Sequence, residues 1–200
     1  MKIYYSGTSP YVRKVMACAI VRGLDGRIEK HISNPHASPA DLLADNPLSK
    51  VPCLVTDDGL SLFGSQLICE YLDSLGDAPK LFPPAGPARW KALQQQALAD
   101  GILDASQPRR REIALPQDEG RQAWIALQRG KVDAAIAALE ADADSLGDLT
   151  TIGEITIGCA LGYLDFRFAA EPWRPAAPKL AAWFERVSKL APLAQTLPVG

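Results

Sequence analysis

Between residues 2 and 75 the apolar residues keep changing period, and that alternation limits the fold more than any other feature of the chain. Ile3-Tyr4-Tyr5 reads as a short strand stopped by Ser6-Gly7. Ser9-Pro10 then supplies a helix N-cap followed by proline at the first helical position, where the missing amide has no intrahelical partner to lose. Val12, Val15, Met16, Ala19 and Ile20 lie on one helical face, which Gly23 closes. Residues 28–32 predict a second strand, and Ser38-Pro39 repeats the cap-and-proline device ahead of a short helix that must stop before Pro47. Residues 53–56 and 60–63 predict two strands joined by an Asp57-Asp58-Gly59 turn. Ser65 then caps a helix whose apolar face is Leu67, Ile68, Tyr71, Leu72 and Leu75.

The order β-α-β-α-β-β-α, a right-handed β-α-β crossover with an appended hairpin and closing helix, is the α/β thioredoxin-like arrangement. Residues 78–87, rich in Pro and Gly, mark a boundary, and beyond them every periodic segment is helical. Trp90, Leu93, Ala97 and Leu98 form one stripe, and residues 121–146 an alanine-rich helix. Thr151 and Glu154 have the spacing of a capping box, in which each side chain satisfies an orphan amide of the other's turn. The helix they open is apolar nearly all round, as a buried bundle axis is, with Gly158 and Gly162 available for close backbone approach. Residues 180–190 predict a last helix. The expected organisation is a thioredoxin-like N-terminal domain at 1–77, a linker at 78–86 and an all-α helical-bundle C-terminal domain at 87–200.

Composition removes several function classes. Apolar residues make up 48% and charged residues 22%, too apolar for a disordered chain. A net charge of −2 does not suit a nucleic acid or another polyanion as partner. Cys18, Cys53, Cys69 and Cys159 form no CxxC pair, and with only two histidines they complete no zinc pattern, so no metal is expected. They read as reduced thiols, which points to the cytoplasm. The apolar run at residues 155–168 is shorter than the roughly 20 residues of a membrane span, and the N-terminus has no apolar h-region, so no membrane partner is expected.

In a thioredoxin-type sheet the loops carrying Ser9, Val51-Pro52 and Ser65 meet at one end, where helix N-termini and exposed amides make an anion site. Ser9-Pro10-Tyr11-Val12-Arg13-Lys14, Asn46-Pro47-Leu48-Ser49-Lys50-Val51-Pro52, and Gly64-Ser65 with Glu70-Tyr71-Leu72 stand in that order. With the Thr151 capping box and Gly162-Tyr163-Leu164-Asp165-Phe166-Arg167, they resemble the soluble glutathione transferase family, a serine-type, bacterial-like member, over essentially the whole chain.

The resemblance implies glutathione as co-substrate and a homodimer. It implies that Ser9 donates a hydrogen bond to the glutathione sulfur and holds it as thiolate. Val51 would pair main chain to main chain with the cysteinyl part, exposed by a cis bond at Pro52, and Ser65 with its helix N-terminus would take the glutamyl carboxylate. One position departs from the family: the residue before the pocket serine, usually Glu or Asp for the glutamyl ammonium, is Gly64. Asp100 and Asp104 are candidate substitutes, supplied by a partner subunit. Tyr11, Arg110 and Trp173 are candidates for the wall around a small hydrophobic electrophile, Arg110 from a basic run, Arg109-Arg110-Arg111, expected in a loop. His31 and His36 read as surface residues, and Lys50 as a lysine beside the site. Phe63-Gly64-Ser65-Gln66-Leu67 does not match GxSxG, which removes a serine hydrolase. The expected activity is conjugation of glutathione to an electrophile. The rivals are peroxide or disulfide reduction, with Cys53 as the nearby thiol, and a non-catalytic protein-interaction module.

Overall fold

The computed structural model describes residues 1–199, which form two compact units: Met1–Pro83 with the stretch that starts at Ala191, and Pro84–Leu190.

The first unit holds a four-stranded sheet in the order β2-β1-β3-β4, with β1 at Lys2–Tyr5, β2 at Glu29–Ile32, β3 at Cys53–Val55 and β4 at Ser61–Phe63. β1 and β2 run parallel, while β3 runs antiparallel to both β1 and β4. The register aligns His31, Tyr4, Cys53 and Phe63 in one cross-sheet row. The C-terminal ends of β1, β2 and β4 and the N-terminal end of β3 therefore share one end of the sheet. The expected Asp57-Asp58-Gly59 turn closes the β3–β4 hairpin, with the Gly59 amide donating to the Thr56 carbonyl at 3.1 Å.

Helices α1 (Pro10–Val21), α2 (Ala40–Asp45) and α3 (Ser65–Ser74) complete the thioredoxin-like pattern. α1 starts as its sequence predicts, Ser9 as N-cap and Pro10 at the first helical position. α2 does not: its N-cap is Pro39, without a side-chain cap. Ser38 instead closes the preceding turn in a left-handed conformation, its amide donating to the Pro35 carbonyl at 3.3 Å, so its hydroxyl is not delivered to α2. α3 starts one residue later than a Ser65 cap requires. Gly64 is the N-cap, at φ 89°, and Ser65 is the first helical residue.

The Pro/Gly stretch after α3 is held to this unit. Asp73 accepts from the Leu81 and Phe82 amides at 2.7 and 3.2 Å. Buried Arg22 donates to the Leu75 and Pro79 carbonyls at 2.6 Å, and its Nε lies 3.4 Å from Asp73. The C-terminal stretch also returns here: α8 (Ala191–Ala194) packs on α1, with Arg13 Nη2 donating to the Leu193 carbonyl at 3.1 Å.

The second unit is all-helical: α4 (Gly86–Ile113), α5 (Glu119–Asp142), α6 (Ile152–Arg167) and α7 (Pro178–Val187). α6 is its buried axis, and both bonds of the Thr151–Glu154 capping box form. The close helix approach falls at Gly153, where an added Cβ would lie 2.7 Å from the Ala92 carbonyl and from the Gln95 side chain of α4. The Arg109 run is not in a loop. α4 continues through Pro108, a residue expected to end it, and Arg109 is buried against Glu171 at 2.7 Å.

Candidate active site

The shared end of the sheet collects the residues expected to form an anion site. Ser9 lies four residues beyond β1, Val51 two before β3 and Ser65 two after β4. With neighbouring strands about 4.8 Å apart, the register of Tyr4, Cys53 and Phe63 puts their three loops side by side. The Val51-Pro52 peptide bond is cis, and Val51 is half-buried.

Ser9 is half-buried, and its Oγ accepts from the Val12 amide at 3.3 Å. Among the described residues the Ser9 hydroxyl donates to nothing, so its proton remains available to a ligand. An accepted hydrogen bond polarises the O–H, and the α1 N-terminus adds positive potential. No acidic residue in the first turn cancels it. One turn on, buried Arg13 has no carboxylate partner among the described residues, and its Nη1 is buried without a hydrogen bond. The electrostatics around Ser9 favour an anion.

Ser65 is buried at the start of α3, and no side chain caps that helix. The first-turn amides of α3 are therefore left without a side-chain cap, as donors at a helix N-terminus, where anions are favoured. Gly64 has open space around its Cα and supplies no charge.

The other candidates sort differently. Tyr11 is half-buried in the first turn of α1. Cys53 is fully buried, and burial first, then the charge of Asp45, pushes its thiol up to about 11. It is a protonated core thiol at neutral pH. Arg110 is exposed on α4, where Asp100 is buried and Asp104 exposed. Trp173 is buried within the helical unit: its Nε1 donates to Asp165 at 2.9 Å and its ring meets Phe184 edge-on at 6.0 Å. That ring is a packing element. His31, read from the sequence as a surface residue, is partly exposed at the β2 edge and pairs with Asp41 at 2.7 Å. His36 and Lys50 are exposed.

One feature beside the site was not expected from sequence. The Val199 amide donates to the Gly7 carbonyl at 3.2 Å, so the C-terminal stretch lies along the loop that presents Ser9. Only the prolines at 192 and 198, which end the helical pattern, hinted at a separate terminal segment.

Among the described residues no group of three or more His, Cys, Asp or Glu side chains is placed to hold a metal ion. No helix among them is long and apolar enough to cross a membrane.

A thioredoxin-like sheet presenting a helix-capping serine, a cis-proline loop and an uncapped helix start, followed by a helical unit, is the architecture of glutathione transferases. Residues 8–75 match the family model described as glutathione S-transferase, N-terminal domain, and residues 122–186 that of the C-terminal domain. The chain is 32% identical over 201 residues to the uncharacterized GST-like protein YibF of Escherichia coli K12, covering 99% of this chain and 98% of that protein. A glutathione transferase family member from Pseudomonas fluorescens Pf-5, solved with bound glutathione, is 40% identical, with a TM-score of 0.89 and coverage of 100% of this chain and 99% of that one. A glutathione S-transferase from Methylobacillus flagellatus KT with glutathione bound is 32% identical, with a TM-score of 0.88 and 99% coverage of both chains. The chain belongs to the glutathione S-transferase family.

Proposed function

We propose that the protein is a glutathione transferase: it binds glutathione on its first unit, holds the sulfur as thiolate and conjugates it to a small hydrophobic electrophile. The observation that carries this reading is the Ser9 hydroxyl, which accepts one hydrogen bond and keeps its own proton for a ligand. Val51 and Pro52 take the cysteinyl backbone, and Ser65 with the first amides of α3 takes the glutamyl carboxylate. Gly64 leaves the glutamyl ammonium to another acid, for which Asp100 and Asp104 of a partner subunit in a homodimer are the candidates. Tyr11 and Arg110 face the second substrate. Binding of glutathione by family members that this chain matches end to end supports the same assignment. The role belongs to the cytoplasm, in detoxification.

Thiolate, not thiol, is the nucleophile, and a free thiol has a pKa near 8.5. Bringing it down by about two units requires about 2.7 kcal/mol. A hydrogen bond to a charged group contributes roughly 1.5–3 kcal/mol and a helix N-terminus roughly 0.3–1 kcal/mol. Those two suffice without a general base. The thiol proton leaves to water, the sulfur attacks the electrophilic carbon, the C–S bond forms and the leaving group departs with its electron pair. The buried, protonated Cys53 thiol speaks against a reductase mechanism routed through that residue.

Glutathione-dependent conjugation of a chlorodinitrobenzene by wild type and Ser9→Ala tests the reading. Loss of the hydroxyl should cut the rate about 10-fold or more near neutral pH and move the rising limb of the pH profile up by about one to two units. Equal rates would remove Ser9 from catalysis.

A further inference from the structure

Residues 191–199 follow the helical unit in sequence but belong to the first unit, and the transferase reading gives them no task. They make contact on both sides of Ser9. Before Ser9, residues 6–9 form a tight turn, with the Ser9 amide donating to the Ser6 carbonyl at 3.1 Å. The carbonyl of Gly7, inside that turn, accepts from the Val199 amide at 3.2 Å. After Ser9, the Arg13 amide donates to the Ser9 carbonyl at 3.0 Å and closes the first helical turn. The side chain of the same arginine reaches the returning stretch: Nη2 donates to the Leu193 carbonyl at 3.1 Å and Nε to the Thr196 hydroxyl at 3.4 Å.

The stretch is braced internally. Thr196 Oγ1 donates to the Pro192 carbonyl at 2.6 Å, the Gln195 amide to the Ala191 carbonyl at 3.0 Å, and Leu193 is fully buried. Burial of Leu193 accounts for α8 packing on α1, but three features go beyond packing. A buried cation is costly unless it is bonded, and Arg13 places two of its three nitrogens on this stretch. The Val199 side chain is 67% exposed, so what this residue brings to the contact is its amide rather than apolar burial. Gly7 has no room for a side chain: an added Cβ would lie 2.7 Å from Val199 Cγ2 and 3.1 Å from the Val199 carbonyl oxygen. Its φ lies outside the left-handed region that calls for glycine at Gly64, so the close approach of residue 199 is what requires glycine here.

We propose that residues 193–199 are a strap that positions Ser9: Val199 fixes the turn that enters α1, Arg13 anchors the first helical turn, and together they hold the Ser9 hydroxyl where it donates to a bound sulfur. The proposal rests on the transferase reading and adds Gly7, Arg13 and Val199 to it as positioning residues that act through Ser9. A hydrogen bond weakens steeply as its angle closes, so a turn free to rock donates less well to sulfur. A thiolate held less well has a higher pKa. The strap thus tunes the ionisation of the sulfur while adding no group to the anion site. Val51 and Ser65 lie on other loops of the sheet, so binding of the peptide should change less than ionisation of its thiol.

Two arms test the strap. Val199→Pro removes the amide donor while keeping the length and charge of the chain, Gly7→Ala forces the two segments apart, and Val199→Ala keeps the amide. In the first arm, hydrogen exchange over residues 6–13 is measured without ligand. Val199→Pro and Gly7→Ala should each exchange about 2- to 10-fold faster than wild type, the range that one hydrogen bond accounts for. The double variant should exchange no faster than the faster single one, because both changes break the same contact, and Val199→Ala should exchange like wild type. Unchanged exchange in Val199→Pro, or effects that add in the double variant, would overturn the strap. In the second arm, the midpoint of the bound glutathione thiolate is followed by ultraviolet absorbance and its Kd by calorimetry. Val199→Pro and Gly7→Ala should raise the midpoint by about half a unit, Val199→Ala should restore it, and Kd should stay within about threefold of wild type. A wild-type midpoint in both variants, or a change in Kd without one in the midpoint, would overturn the positioning role. If wild type itself binds no glutathione, the transferase reading fails and this role with it, whereas failure of the strap alone leaves wild-type binding intact. Melting curves confirm that each variant is folded.

Discussion

Ser9 does two jobs with one side chain. Its oxygen satisfies the Val12 amide as a helix cap, and its proton stays uncommitted. An aspartate would cap α1 as well, but an ionised carboxylate only accepts, whereas a hydroxyl accepts from the helix and can also donate to sulfur. Cys53 illustrates the opposite outcome. It sits two residues from Val51, inside the same end of the sheet, yet full burial holds its thiol protonated. We therefore expect iodoacetamide to leave Cys53 unmodified at pH 8 in the folded protein and to modify it once the protein is denatured, read by peptide mass spectrometry. Rapid labelling of the native protein would contradict that burial.

At the scale of elements, the Arg22–Asp73 pair does more than join α1 to α3. Through the Leu81 and Phe82 amides and four carbonyls it fastens the segment that leaves α3. Asp73→Ala leaves a buried guanidinium without its counter-charge and two buried amides unmatched, and the expected loss is about 3–5 kcal/mol in denaturant unfolding. A change below about 1 kcal/mol would show that water replaces those bonds. What the sequence made legible here follows from the range of each signal. The α1 cap and the Thr151 box are local, needing only residues within one turn, and both form as read. The Ser38 cap failed because the preceding turn fixed its backbone first. The Arg109 run was misplaced because proline is a strong stop in isolation, whereas in α4 the flanking turns are held by packing on α6 and by the buried ion pair with Glu171.

At the scale of the whole molecule, the two-part architecture and the meeting of the Ser9, Val51 and Ser65 loops were readable because strand order alone fixes which loops share an end. The return of the C-terminal stretch to α1 and Gly7 was not readable, since it rests on carbonyl contacts that any sequence offers. Global stability should respond to acid through Asp45. Hydrogen bonds from Tyr4 at 2.7 Å and Ser61 at 2.9 Å, with Lys2 nearby, hold its carboxyl below the usual carboxylate range and tie α2 to β1 and β4. Because the folded state binds this proton less readily than the unfolded chain, the contribution is present above about pH 4 and is lost as pH falls through the depressed folded value. Melting temperature should drop across that acid window, and Asp45→Asn should flatten the drop. An unchanged acid slope in Asp45→Asn would assign the effect to other carboxylates.

The central claim concerns the ionisation of a bound sulfur, and ultraviolet titration of the thiolate band of glutathione in complex with the protein reads it without any electrophile. In wild type the bound thiol should ionise about two units below the free value near 8.5, and in Ser9→Ala its midpoint should return most of the way. Midpoints that coincide in the two proteins, or a wild-type midpoint equal to that of free glutathione, would contradict the account.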